Sequence, residues 1–129
     1  MTESTTSTRV TRMHTVAVPV RDQDLALEFY TGILGLQKTM DVDMGGGTRW
    51  IEVAPAAGGT TIALASASPN APAGVETGIR LRTEDVDALH AHLLAHGVSA
   101  DDVLLWPGVP PMFAFRDQDG NGLVIIAES

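Results

Sequence analysis

The chain contains no cysteine, which excludes a disulfide, a thiolate nucleophile, an iron-sulfur cluster and any zinc site built on thiolates. Any metal would have to be held by carboxylates and the four histidines. Basic residues are scarce too: 8 Lys and Arg stand against 16 Asp and Glu, a formal net charge of -8. A surface of that sign repels phosphate backbones and anionic lipid head groups, so neither nucleic acid nor a membrane is expected as a partner. An acidic surface suits a cationic ligand, but it serves solubility equally well, so charge names no substrate. No apolar run has the length of a membrane helix or signal-peptide core, and residues 1–12 are rich in Ser and Thr. The expectation is a flexible tail on a cytoplasmic protein.

What is present is the composition of a folded domain, 44% hydrophobic and 19% charged over 129 residues. Residues 15–20 are mostly β-branched or small and predict a strand, after which Arg21-Asp22-Gln23-Asp24 supplies helix-start chemistry. From about Asp24, Leu25, Ala26, Phe29, Tyr30 and Ile33 fall on one face of a short amphipathic helix. Residues 36–44 alternate Leu36, Lys38, Met40, Val42 and Met44 against polar neighbours, the period of a half-buried strand. Gly45-Gly46-Gly47 and Ala57-Gly58-Gly59 then separate two more strands, 49–54 and 60–65.

The pattern restarts after a linker rich in Pro and small residues, 66–76. Strand 77–82, helix 86–96 closed by Gly97, and strands 98–105, 112–115 and 123–127 follow, the last two joined through Asp117-Gln118-Asp119-Gly120-Asn121. The chain therefore reads as one α+β domain over 13–129, built from two β-α-β-β-β modules, 13–65 and 77–128. Side by side, the modules should form a curved eight-strand sheet around a pocket, with the helices on its convex face.

In this order of elements the chain resembles the vicinal oxygen chelate superfamily, which includes glyoxalase I, extradiol dioxygenases, fosfomycin resistance enzymes and bleomycin-binding proteins. The resemblance rests on Val20-Arg21-Asp22, Phe29-Tyr30 and Leu34-Gly35-Leu36 in the first half. In the second it rests on Glu84-Asp85-Val86-Asp87, His96-Gly97-Val98 and the Asp117 to Asn121 turn. It implies four metal-ligand positions, from the first and last strand of each module. Counted back from Asp22 and Asp85, two fall on Thr15 and Gly78; the others fall near Ala63 and on Val124. None of these side chains binds a divalent cation well, so no metal and no cofactor is expected.

His14 lies one residue out of register with the first ligand position, which favours a strand-end residue near the surface. His90, His92 and His96 sit on the second helix and are assigned no chemistry, His90 within its apolar arc. Glu128 lies at the end of the chain, where a solvated role is expected. Glu52 shares a strand face with Trp50 and Ala54, and either face of that strand could be the pocket. It is the carboxylate that merits weighing as a general base. Arg80 shares parity with Gly78 and is expected to face the cavity, either holding an anionic or carbonyl oxygen of a ligand or pairing with Glu52 or Glu128. The proline-rich run from Trp106 to Phe113 is expected to form a stiff loop over the pocket mouth, its aromatics and Trp50 available to stack on a flat ligand.

The ligand-binding set is therefore Thr15, Trp50, Glu52, Arg80, Trp106 and Phe113. The resemblance leaves two classes open. One is a metal-independent protein that binds a small organic or drug-like molecule. The other is an enzyme, either a metal-free isomerase, lyase or cyclase or a divergent metal-dependent glyoxalase or dioxygenase type. A homodimer is expected, because relatives of this length commonly complete their cavities with a partner's strands and open sheet edges invite coverage.

Overall fold

The computed structural model describes residues 7–128, so part of the expected tail, residues 1–6, lies outside the described residues. Residues 7–14 are exposed and carry no regular structure. The elements in order are β1 (Thr15–Val20), α1 (Gln23–Leu27), a π-helical continuation (Glu28–Ile33), β2 (Gln37–Asp43), β3 (Arg49–Ala54), β4 (Thr61–Ser66), β5 (Glu76–Thr83), α2 (Val86–Ala95), β6 (Met112–Arg116) and β7 (Gly122–Ala127). They make an α+β fold of two mixed sheets, ordered β1-β4-β3-β2 and β5-β7-β6.

Each helix starts where the sequence supplies a cap. The Asp22 carboxylate accepts from the backbone N–H of Asp24 and Leu25, and that of Asp85 from Ala88. α2 ends at Gly97 (φ +74°), where Val98 N–H bonds Leu93 O and Gly97 N–H bonds Leu94 O. That paired closure needs a left-handed residue, which glycine adopts without strain. α1 departs from the expected even rotation of 100° per residue. Its turns widen from Glu28 onward, which buries Phe29 and Tyr30 together and leaves Leu25 53% exposed.

The second sheet repeats the first with one strand degraded. Where an eighth strand is expected over residues 98–105, only two isolated bridges form, Ala100 to Phe115 and Leu104 to Met112, and their registers differ by one residue. The His90 ring Nε2 lies 2.9 Å from Asp101 O, so that carbonyl accepts from a side chain rather than from a neighbouring strand. The described residues therefore hold seven strands, and 98–105 is an irregular edge along β6. β2 differs from expectation in another way: its alternation is real, but every residue from Gln37 to Asp43 is exposed.

One core serves both halves. Val18, Val20, Ile51, Val53, Ile62 and Leu64 enter it from the first sheet, and Phe113, Phe115, Leu123 and Ile125 from the second. Phe29 stacks on Phe115 with centroids 6.3 Å apart. A polar clamp holds the same seam. Tyr30 Oη donates to Asp117 Oδ2 at 2.7 Å, and Asp117 Oδ1 accepts from the backbone N–H of Asp119 and Asn121 at 2.9 Å. Asn121 donates to Pro19 O and to Asp117 Oδ2, and its Oδ1 accepts from Gly74 and Val75 N–H, so the buried amide is fully satisfied. Burial and the adjacent Asp117 carboxylate push the Tyr30 hydroxyl well above its ordinary range, so it stays protonated as the donor.

Candidate functional site

Both sheets turn their helix-covered faces to this core and leave the other face open, so the functional side chains are sought there. On the first sheet the register decides which residues share that face. Glu52 pairs with Ala63, Ala63 with Ala17, Thr15 with Thr61, Met40 with Glu52 and Val42 with Trp50. Since Ile51, Val53, Ile62 and Leu64 point into the core, the open face carries Thr15, Ala17, Met40, Val42, Trp50, Glu52, Thr61 and Ala63. Of the two sides of β3, Trp50 and Glu52 share the one turned away from the core.

Glu52 is the centre of this face. It is only 4% exposed, and its two oxygens are held separately, Oε2 by Trp50 Nε1 at 2.8 Å and Oε1 by Thr61 Oγ1 at 2.8 Å. His14 Nε2 lies 3.8 Å from Oε1 with its side chain 77% exposed. The hydrogen bond from Trp50, then that from Thr61, holds the Glu52 carboxyl below its ordinary pKa against the opposing effect of burial, with a smaller contribution from His14. Glu52 is therefore an anion at neutral pH and a weak base. Thr15 Oγ1 donates to Thr61 O at 3.3 Å beside it. The sequence reading missed Thr61 and set His14 aside. Residues at a strand end escape strict alternation, and Thr61 could have been found from its pairing with Thr15.

The other sites of interest fall elsewhere. Arg80 pairs in register with Val124 on the second sheet but is exposed, donating to Gly78 O at 3.2 Å, and among the described residues it makes no ion pair with Glu52 or Glu128. The expected burial of this guanidinium is thereby corrected. Trp106 is 69% exposed and lines an apolar cleft of about 210 Å³ with Leu104, Val109, Pro110 and Met112. Phe113 belongs to no loop. β6 already begins at Met112, and alternation sends Phe113 into the core, 1% exposed, with the His90 ring edge-on at 4.9 Å. His92 Nε2 lies 2.9 Å from Ile33 O and His96 Nδ1 2.9 Å from His92 O, so both rings are engaged with backbone.

Of the four counted metal positions, Thr15 and Ala63 lie on the face of Glu52 and Val124 on the second sheet. Gly78 sits at a register shift of β5 with φ +75°, where any other residue would be strained. Among the described residues no three His, Asp or Glu side chains converge as a metal ion requires. Of the four side chains at these positions only the Thr15 hydroxyl carries a donor atom, so they do not fit the family's metal.

The family profile of the Glyoxalase/Bleomycin resistance protein/Dioxygenase superfamily matches residues 12–125. Among solved structures, the chain is similar to TnmS3, an antibiotic binding protein from Streptomyces sp. CB03234, at 33% identity and a TM-score of 0.83, covering 95% of this chain and all of that one. A glyoxalase/bleomycin resistance protein from the same Streptomyces strain is 35% identical with a TM-score of 0.77, covering 88% of this chain and 98% of the other. The uncharacterized protein YetH of Bacillus subtilis (strain 168) is 28% identical over 116 residues, 87% of this chain and 94% of that protein.

Proposed function

The chain belongs to the glyoxalase/bleomycin resistance protein/dioxygenase superfamily, and on that premise we propose that it is a metal-independent cytoplasmic protein that binds a small organic, drug-like molecule. The observation that carries this reading is the open face of the first sheet. There Trp50 stands beside a buried carboxylate, the small and exposed Ala17 lies on the same face, and Met40 and Val42 stand in register as apolar flanks. A ligand surface of mostly apolar lining with one fixed polar group is the common design of small-molecule sites. The likeness to an antibiotic binding protein at 33% identity supports the same reading. Thr15, Thr61 and His14 complete the polar edge.

The binding surface is completed by a second copy of the chain. Met40 and Val42 on β2 and Met44 just beyond it are 42%, 47% and 63% exposed, while Leu104, Leu105 and Trp106 are 54%, 73% and 69% exposed at the matching edge of the second sheet. Apolar strips of this kind are the ordinary raw material of a symmetric homodimer. Light scattering at micromolar protein should give twice the chain mass, and a monomeric mass would overturn this part.

Ligand binding is tested by a thermal-shift screen of planar aromatic natural products and peptide antibiotics. A hit should raise the melting temperature, and Trp50→Ala should abolish the shift. No stabilising compound, or hits indifferent to Trp50→Ala, would refute the reading. Metal independence predicts far less than one equivalent of nickel, zinc, iron or manganese per purified chain, and a melting temperature that chelators leave unchanged.

A second reading, a metal-free isomerase or lyase, draws support from the approach of His14 to Glu52. A carboxylate fixed by two donors could orient an exposed imidazole for proton transfer. Turnover of a binding hit that disappears in His14→Gln would favour this reading over simple binding.

A further inference from the structure

The basic residues of this acidic chain are unevenly spent. Arg21 pairs with Asp119, Arg49 with Asp24 and Asp41, Arg116 with Glu76, and Lys38 with Asp41. Among the described residues Arg9, Arg12, Arg80 and Arg82 make no ion pair. Two of these four, Arg12 and Arg80, line adjoining clefts at the seam where β1 and β4 meet β5. One cleft, of about 380 Å³, has Val16, Ile62, Ile79 and Leu81 among its walls and Arg80 at its lip. The other, of about 570 Å³, is lined in part by Arg12 and His14. The two share Met13, Thr60 and Thr61. Glu52, which touches these clefts through the lining residue Thr61, has its oxygens already taken by Trp50 and Thr61.

An apolar trough bordered by two guanidinium groups without an acidic partner among the described residues, in a protein of net charge -8, is a place where an anion gains locally what the rest of the surface denies it. Guanidinium groups also match carboxylate geometry through paired N–H donors. We infer that the seam between the two halves is a second binding site, adjoining the open face of the first sheet at Thr61 and His14, for an amphipathic carboxylate. Its apolar body lies along Val16, Ile62, Ile79 and Leu81, and its carboxylate is shared by Arg80 and Arg12. Arg80 spends one N–H on the carbonyl of Gly78 in its own strand, a bond that a ligand carboxylate replaces readily. His14 also lines the second cleft.

The test uses 2-naphthoate and its neutral analogue 2-naphthamide on the full chain, with binding followed by amide chemical shifts and calorimetry. The acid should bind with shifts at Thr60, Thr61, Thr77 and Ile79, and the amide about tenfold or more weakly, as expected for a lost charge-assisted hydrogen bond. Arg80→Ala and Arg12→Ala should each weaken the acid alone by about the same factor, Arg80→Lys less, and raised salt should weaken it further. Arg82→Ala, the same charge change two residues along β5, serves as the control. Both arginines are exposed, so the variants should fold. Equal binding of acid and amide, indifference to Arg80→Ala, an equal effect of Arg82→Ala, or no binding up to about 10 mM would each overturn the proposal. Shifts confined to Trp50, Met40 and Val42 would also overturn it, because they would assign the acid to the open face instead.

Discussion

The two halves of the molecule repeat one topology but treat its uncovered face in opposite ways. In the first, β3 and β4 run in regular register and carry a connected polar set, Trp50, Glu52 and Thr61, on an otherwise small and apolar surface. In the second, β5 is interrupted at Gly78, the fourth strand is reduced to two bridges, and the corresponding face shows Ala114, Val124 and an exposed Arg80. What the halves keep in common is the core side, where aromatic and aliphatic residues from both sheets meet. Packing constrains that side to a methylene, whereas an open face is free to differ. Chemistry is thus to be sought in the half that keeps all four strands, and the half with the degraded strand is better suited to walls and clefts.

The largest effect is expected from breaking what the halves share. Phe115 is 1% exposed and stacks on Phe29 across the seam, so Phe115→Ala should cost about 3–5 kcal/mol by loss of burial and the cavity left behind. Because the core is common, urea unfolding should remain a single transition moved to lower midpoint. Two separated transitions would mean that the halves are stabilised independently.

Next in size is the polar clamp. Tyr30→Phe removes the hydroxyl that donates to Asp117 while keeping the ring, leaving a buried carboxylate one donor short. The expected loss is about 1–2 kcal/mol, and a double-mutant cycle with Asn121→Ala should show coupling, since both side chains bond Asp117. Additive effects would place the strength of the seam in packing alone.

These two contacts also mark how far the fold was legible in the sequence. A run of β-branched and small residues located β1, and the glycine-rich breaks on either side located β3, at the observed bounds, while the Asp cap with Gly97 located α2, because those signals are local. The turn from Asp117 to Asn121 was legible as a turn, but its work as a clamp on Tyr30 and Pro19 depends on contacts across the seam. The eighth strand failed because a side chain of α2, His90, takes the Asp101 carbonyl, which no window along the chain can show. Phe113 was misplaced because Pro110 and Pro111 were allowed to extend the loop past Met112, where the ladder starts. For the site, Trp50 and Glu52 were visible as residues of one face, but the choice of face needed the pairing of Glu52 with Ala63.

Glu52→Gln sharpens the comparison between the faces through its pH dependence. The folded-state pKa of Glu52 is depressed, so ionisation favours the native state above the unfolded value of about 4.3. That contribution is lost as pH falls through the lower folded value, where the native carboxylate must finally take a proton. The stability gap between the wild type and Glu52→Gln should therefore be constant near neutrality and shrink below about pH 4. Urea midpoints from pH 7 to pH 3 measure it. A gap that widens on acidification would mean that Glu52 is held protonated, and its part in the site would have to be rewritten.

The smallest effect on stability is expected at the two edges, where the largest effect on assembly should lie. Val42 on β2 is 47% exposed and pairs laterally with Trp50, so within one chain a lysine there keeps its ammonium in water and loses little burial. Val42→Lys should change the stability of the isolated chain by no more than about 0.5 kcal/mol, as for most surface substitutions. A lysine on an edge strand is also a device by which proteins prevent edge pairing. If β2 is covered by a second copy, a desolvated charge at Val42 must halve the mass seen by light scattering. Trp106→Ala, at the irregular edge, should act in the same direction through lost apolar area. A variant that keeps the wild-type circular dichroism but no longer dimerises would assign the alternation of β2 to the interface. A Val42→Lys variant that stays dimeric would leave that alternation without a partner and move the contact to another surface.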